Sequence, residues 1–462
     1  MTIKMRSGCI SVLALVVQLS AFAQGSSNVN LVYHWNDTSL LSSWAHNNRY
    51  NEVWGLAEGG REYAVIGSTM GTHIFDVTDP ENVDTAVFIP GAATGLSIVH
   101  RDFHDYNGYL YIVCDEDSQL TLSTLQIVDL SFLPDSAPVV YSSNALFRNS
   151  HNIFIDSATA RLYACGVRPS GNRLEIYSLV DPVNPVLIET YNKGRHDIYV
   201  RNDTAYLNDG DQGFFVVDFE TPGNPISLGS LTSYTDSGYN HSGWLSDDGN
   251  VYALADENFG LSIKLLDVSD LSNISVLSTI SSGVAPLSIP HNLIIKESIL
   301  YASYYNDGLY IFNISDPINP LVTGYYDTST EPHLEGNYRG AWGVYPLLPS
   351  GLILVSDMQN GLFVFDGSAA TEIETSTEKS ESLTTVYPNP FQESLSIQIT
   401  KKKAGNVHIA IYNELGQLIA SYDNAVVGDE VVIDTQHLPA GIYEVTVSSM
   451  GWNESHKLIK DR

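Results

Sequence analysis

The segment FNISDPINP (312–320) decides the fold, because the chain repeats it. FDVTDPENV (75–83), YSLVDPVNP (177–185), VDFETPGNP (217–225) and LDVSDLSNI (266–274) keep its order: a run of β-forming residues, an Asp or Thr, a proline in most copies, and an asparagine two residues later. Proline presets the backbone for a turn and the Asx side chain closes it. Around each turn the order is also constant. A polar pair opens an alternating strand, a polar turn leads to a second strand ending in acids, and a Gly-containing turn leads to a third. A fourth follows, as in PVLIETY (185–191) and PLVTGYY (320–326). Four short strands per unit describe a propeller blade.

The first residue of each polar pair gives a register: Asn51, Arg101, His151, His196, His241, His291 and Arg339, at spacings of 50, 50, 45, 45, 50 and 48. Blades are expected at about 40–50 residues, so the pattern predicts a seven-bladed β-propeller. The last unit stops after its third strand at Asp366, and NVNLVYHWND (28–37) resembles the fourth strands elsewhere. Pairing the two would close the ring and remove its free edges, which sets the propeller at 28–366. Residues 367–382, GSAATEIETSTEKSES, are small, polar and aperiodic, the composition of a flexible linker. From 383 to 462 alternating strands are joined by Asn-, Gly- and Pro-containing turns, predicting a small Ig-like β-sandwich. The whole chain reads as all-β.

At the N-terminus, Lys4 and Arg6 precede the apolar CISVLALVVQLSAFA (9–23), with small residues at Ala21 and Ala23. This is the layout of a cleavable signal peptide over 1–23. No later segment approaches the ~20 apolar residues of a membrane helix, so the expectation is an exported protein without a transmembrane segment. The net charge of −31 becomes two units more negative once Lys4 and Arg6 leave. Such a surface repels nucleic acid and suits cations, neutral glycans or basic partners, or serves solubility alone. Cys114 and Cys165 sit at matching points of adjacent blades. Facing sheets lie ~10 Å apart and a disulfide needs Cα atoms within ~7 Å, so both are expected as thiols.

Two families are resembled. YPNPF (387–391), IYNELGQLI (411–419), LPAGIYEVTV (438–447) and HKLIK (456–460) are similar to the C-terminal sorting domain of the bacterial type IX (Por) secretion system. That resemblance implies a Bacteroidetes-type export machinery as partner and a protein secreted or attached to the outer cell surface. HRDFHDYNGYLYIV (100–113), SHNIFIDSATARLYA (150–164), RHDIYV (195–200), YNHSGWLSDDGNVYALADE (239–257), PHNLIIKESILYASYYNDGLYIFNISD (290–316) and GAWGVYPLLPSGLILVSD (340–357) resemble the choice-of-anchor B family, whose blades are similar to LVIVP-type repeats. That family implies varied surface anchors and no defined activity.

In a propeller the first strand of each blade is innermost, so the seven marks ring the central channel near one mouth. His151, His196, His241 and His291 are therefore the candidate metal ligands, since neutral imidazoles converging from rigid strands suit a zinc-like divalent cation. The second strands end on the same face with Asp115, Glu116, Asp209, Asp256, Glu257, Asp307 and Asp357. Of these, Asp209, Asp256 and Glu257, with Arg101 and Arg339, are candidate additions to the mouth. The arginines suit an anionic ligand, or salt bridges to Asp102 or Glu335. The bland alternative for the histidines is a copied hydrogen bond to the next blade's backbone. Asp197, Asn152 and Asn292 follow their histidines directly, and strand alternation predicts that they brace the blade instead of sharing an ion.

DED (115–117) and DD (247–248) read as turn residues, the latter a weak calcium candidate. Trp54, Trp244 and Trp342 fall three residues after their marks, which favours packing between blades over sugar stacking. Neither H-E-x-x-H nor G-x-S-x-G occurs, so no established hydrolytic motif supports an enzyme. The chain reads as a surface binding or interaction module. A metal-dependent hydrolase with Asp256 or Glu257 as base, and a purely structural surface component, are the competing readings.

Overall fold

The computed structural model describes residues 25–118, 121–168, 173–194, 196–329, 337–371, 384–399, 407–413, 418–425, 430–449 and 452–461. The proposed signal peptide and Glu335 lie outside them. The chain divides into two compact units, Met1–Glu372 and Ile373–Arg462. No helix among the described residues is long and apolar enough to cross a membrane.

Among the described residues the first unit contains seven antiparallel sheets. Five follow chain order without interruption, from Tyr50–Glu58 through Asp84–Pro90 to Asn240–Leu245 through Ser275–Ile280. The sixth, Leu293–Lys296 to Leu321–Tyr326, takes the two-residue strand Ser26–Ser27 on its outer edge. The seventh has three strands from Ala341–Tyr345 to Gly361–Asp366, and Asn30–Trp35 pairs antiparallel with the last of these. The repeated turns explain the regularity. In DPEN, DPVN and DPIN alike, the Asp carboxylate accepts the backbone N–H two residues on and the Asn side-chain amide.

Each inner strand packs against that of the next sheet, and Ala341–Tyr345 packs against Tyr50–Glu58, so the sheets form a closed ring. Every junction carries its own apolar cluster. The closing one joins Tyr50, Val53 and Phe75 of the first sheet to Leu354, Leu362 and Val364 of the last. Sheets covered on both faces in this way form a β-propeller. Cys114 and Cys165 are buried free thiols. At the start of the segment read as linker, Ser368–Thr371 forms a single helical turn with Ala370 buried; residues 372–382 lie outside the described set.

The second unit has a three-stranded sheet (Thr384–Tyr387, Ser394–Ile399, Glu430–Asp434) and a four-stranded one (Leu418–Ala425, Val407–Asn413, Gly441–Ser449, Trp452–Lys460). They share one core around Phe391, Ile397, Ile409, Ile411, Val445 and Leu458.

Candidate metal centre

The inner strands carry three tiers of side chains along the channel. The outermost is a circuit of six aromatic rings. His151 lies 4.2 Å from His196, His196 4.3 Å from His241, and His241 4.2 Å from His291, measured between ring centroids. Trp342 continues it at 4.3 Å from His291, and His100 closes it at 5.0 Å from both Trp342 and His151. The four histidines of the repeat thus converge. Their partners do not follow the register marks, because the seats expected for Arg101 and Arg339 belong to His100 and Trp342.

Arg101 donates its buried guanidinium to the carbonyls of Ser68 (2.8 Å) and Ala93 (2.6 Å), bracing a loop, while the residue also lines the channel cavity shared with the histidines. Arg339 lines a surface pocket, three residues before the Trp342 ring.

Most of the imidazoles are anchored through Nδ1. His196 donates to the His241 carbonyl (3.0 Å) and His291 to the Trp342 carbonyl (2.6 Å). A carbonyl only accepts, so these rings carry hydrogen on Nδ1 and keep the Nε2 lone pair. His151 Nδ1 meets Asp115 (2.9 Å) and His100 Nδ1 meets Glu116. Such carboxylate–imidazole pairs orient metal-ligating histidines elsewhere. Burial lowers the pKa of His196 and His241 far below the usual imidazole value, and that of His291 to about 3. They are neutral, as ligation requires. Burial also opposes charging of His100, but the adjacent Glu116 carboxylate outweighs it and raises its pKa.

Among the described residues two donor sets lie within single-ion reach: His196, His241 and Glu257, and His100, Asp115 and His151. Glu257 Oε2 lies 3.8 Å from His241 Nε2, and Tyr305 donates to Glu257 Oε1 (2.5 Å). Burial raises the Glu257 pKa to about 7. His291 belongs to neither set.

The remaining acids divide. Asp115 and Glu116, expected as turn residues, hold the histidines, and Asp115 also accepts from Arg168 (2.5 Å). Asp256 is fully buried in its own sheet, ion-paired with Lys264 (2.7 Å) and accepting from Tyr234 (2.8 Å) and Asn240 (2.9 Å). It is neither ligand nor base, because its oxygens are already committed. Asp209 is buried in a turn closed on Gly213, outside both donor sets. Asp248 does shape its turn, accepting from Ser246 (2.6 Å) and Asn250 (3.0 Å).

Beneath the rings lies a polar tier. Glu52, Asp102, Asn152, Asp197 and Asn292 line two small cavities of about 30 and 60 Å³, the upper one shared with the histidines. Asn152, Asp197 and Asn292, expected to brace their blades instead of sharing the histidines' ion, belong to neither donor set, yet they line the channel. Asn152 and Asp197 are the first residues of their strands and Asn292 precedes Leu293–Lys296, so strand alternation has not begun at their histidines. Asp102 accepts the Ile153 N–H (2.6 Å), Asp197 that of Ile198 (2.6 Å), and Glu52 reaches across to Asn292 (2.6 Å). Burial raises all three carboxyl pKa values, that of Asp102 to about 7, and mutual repulsion raises those of Glu52 and Asp197 further.

A third tier is aromatic. Tyr345, Trp54, His104, Phe154, Tyr199 and Trp244 follow one another at 4.8, 4.5, 5.1, 5.3 and 4.8 Å. Trp54 and Trp244 therefore pack between sheets, while Trp342 sits in the upper circuit. Sequence reasoning missed His100, although HRDFH contains it. It stands one residue before its strand, as His151 does in SHNIF, so equal spacing sets the register mark one residue too late, on Arg101.

Residues 385–461 match the family described as secretion system C-terminal sorting domain (Por secretion tail). The chain thus carries a tail handled by that export machinery, and it is a secreted or cell-surface protein. No curated protein matches. Similar solved structures include PorZ, a surface component of the type-IX secretion system of Porphyromonas gingivalis (13% identity, 91% of this chain and 61% of that one, TM-score 0.46). Others are the Cps50 (Swd1) β-propeller domain of Myceliophthora thermophila (12%, 73% and 99%, 0.49) and the periplasmic gluconolactonase PpgL of Pseudomonas aeruginosa (10%, 83% and 99%, 0.49). The chain spans less than two thirds of PorZ. At these identities and scores nothing of the neighbours' activities transfers.

Proposed function

We propose that this is a seven-bladed surface propeller of the choice-of-anchor B type, exported on a C-terminal Ig-like sandwich, whose channel mouth holds a divalent cation and serves binding rather than catalysis. Domain limits of 1–23, 28–366, 367–382 and 383–462 go with this reading. One observation carries the metal: His196, His241 and Glu257 are brought within single-ion reach from neighbouring strands, with the imidazoles neutral and His196 anchored through Nδ1. Two nitrogens and a carboxylate favour zinc over calcium, which takes six to eight oxygens. Protein purified without chelator or metal-affinity tag should retain close to one equivalent of metal, lost in His196→Ala and His241→Ala. Less than about a tenth of an equivalent in the unmodified protein, a level typical of adventitious carry-over, contradicts the reading.

A metal-dependent hydrolase is the second reading, favoured by one feature: the two donor sets adjoin across the 4.2 Å His151–His196 contact, and paired metal sites serve hydrolysis. Metal-dependent turnover of model esters or phosphoesters, abolished in His241→Ala, would decide for it.

A further inference from the structure

Outside the channel lies a surface pocket of about 370 Å³ lined by Trp44, His46, Asn47, Phe259, Asn337, Tyr338 and Arg339. Its size decides its class, because the channel cavities of about 30 and 60 Å³ admit water or an ion, whereas ligand pockets run to about 300–1,000 Å³. Its walls are aromatic. Tyr338 stands between His46 at 5.9 Å and Phe259 at 5.4 Å. Trp44 is 67% exposed and Phe259 43%, a large apolar area to leave in water.

The backbone that carries the exposed tryptophan is nevertheless anchored. Its loop closes on itself through Ser43 N–H to the Asn48 carbonyl (2.8 Å) and Asn47 N–H to the Ser43 carbonyl (3.1 Å), with Asn47 at a φ of 54°. Trp44 N–H donates to the Leu96 carbonyl (2.9 Å), and Gln359 donates to the His46 carbonyl (3.3 Å). Across the pocket, Asn306 fixes the Asn337 side chain by donating to its carbonyl oxygen (2.9 Å). An anchored backbone leaves less freedom to lose when a ligand stacks on its aromatic side chains.

Flat aromatic faces beside planar amides and an imidazole match one ligand chemistry closely: a pyranose, whose C–H face stacks on a ring while its hydroxyls bond to amides. The net charge of −31 disfavours polyanionic ligands. The sorting tail places the pocket outside the cell, where glycans are met. We propose that this pocket binds a neutral pyranose unit of an extracellular glycan, with Trp44 and Phe259 as stacking platforms. The site is independent of the cation at the mouth.

The test titrates the full chain, in chelator, with soluble neutral oligosaccharides of glucose, galactose, mannose and N-acetylglucosamine, by calorimetry and tryptophan fluorescence. At least one saccharide should saturate, with affinity lowered about tenfold or more in Trp44→Ala and in Phe259→Ala. Both variants change exposed residues and should melt with the unmodified protein, and binding should be the same with zinc in place of chelator. No saturation by any saccharide up to about 10 mM, beyond the usual limit of specific affinity, overturns the proposal. So does binding indifferent to Trp44→Ala, or binding seen only when zinc replaces the chelator, which would put the sugar at the mouth.

Discussion

Replacing Asp102 by Asn should stabilise the protein at pH 8 and leave it unchanged at pH 4. Asp102 is 8% exposed, faces a cavity it shares with Glu52 and Asp197, and has its pKa raised by burial to about 7. In the unfolded chain an aspartate titrates near 3.9. Between those values the native state binds more protons than the unfolded one, so stability falls as pH rises through the window and the loss is complete above pH 7. The interval corresponds to about 4 kcal/mol, an upper figure because water in the cavity and relaxation of the strand reduce it. Asparagine has no proton to lose, and its carbonyl oxygen can still accept the Ile153 N–H now held at 2.6 Å. In chelated protein, melting followed by calorimetry should show Asp102→Asn several degrees above the parent at pH 8, with the difference closing toward pH 4. An equal gain at both pH values, or a loss at pH 8, would refute the burial argument.

Other perturbations test other parts. Removing Ser26–Trp35 takes the edge strand from the last sheet and Trp35 from Phe75 (4.8 Å); the melting temperature should fall steeply, and an unchanged value would mean that the ring does not need this closure. Lys264→Met leaves Asp256 buried without its cation and should cost about 3–5 kcal/mol, with most of it recovered in the Lys264→Met/Asp256→Asn double variant; additive losses would argue against the pair. A chain truncated at Ser382 should fold its propeller yet stay in the cell envelope, and normal export of it would remove the sorting assignment.

Features encoded by neighbours in sequence were legible. The Asp-Pro-x-Asn turns state their own geometry, since proline, the Asp carboxylate and the Asn amide act within four residues. The convergence of His151, His196, His241 and His291 was legible as well, because equal spacing becomes adjacency once a repeat closes into a ring. What depends on the exact first residue of a strand was not. His100 and Trp342 take seats that equal spacing assigned to Arg101 and Arg339, and Asn152, Asp197 and Asn292 reach the channel because regular pairing starts only at or after them. Cross-strand commitments were hidden too. Nothing local to LADE (254–257) reveals that Lys264 and Tyr234 engage Asp256 and leave Glu257 for the mouth. The Trp44 loop carries no repeat signal at all.

The most direct measurement is an anomalous-scattering map, at the zinc edge, of crystals of the exported protein grown with zinc. The account predicts a peak at the channel mouth bounded by His196, His241 and Glu257. Imidazoles placed as described with no peak between them would contradict it.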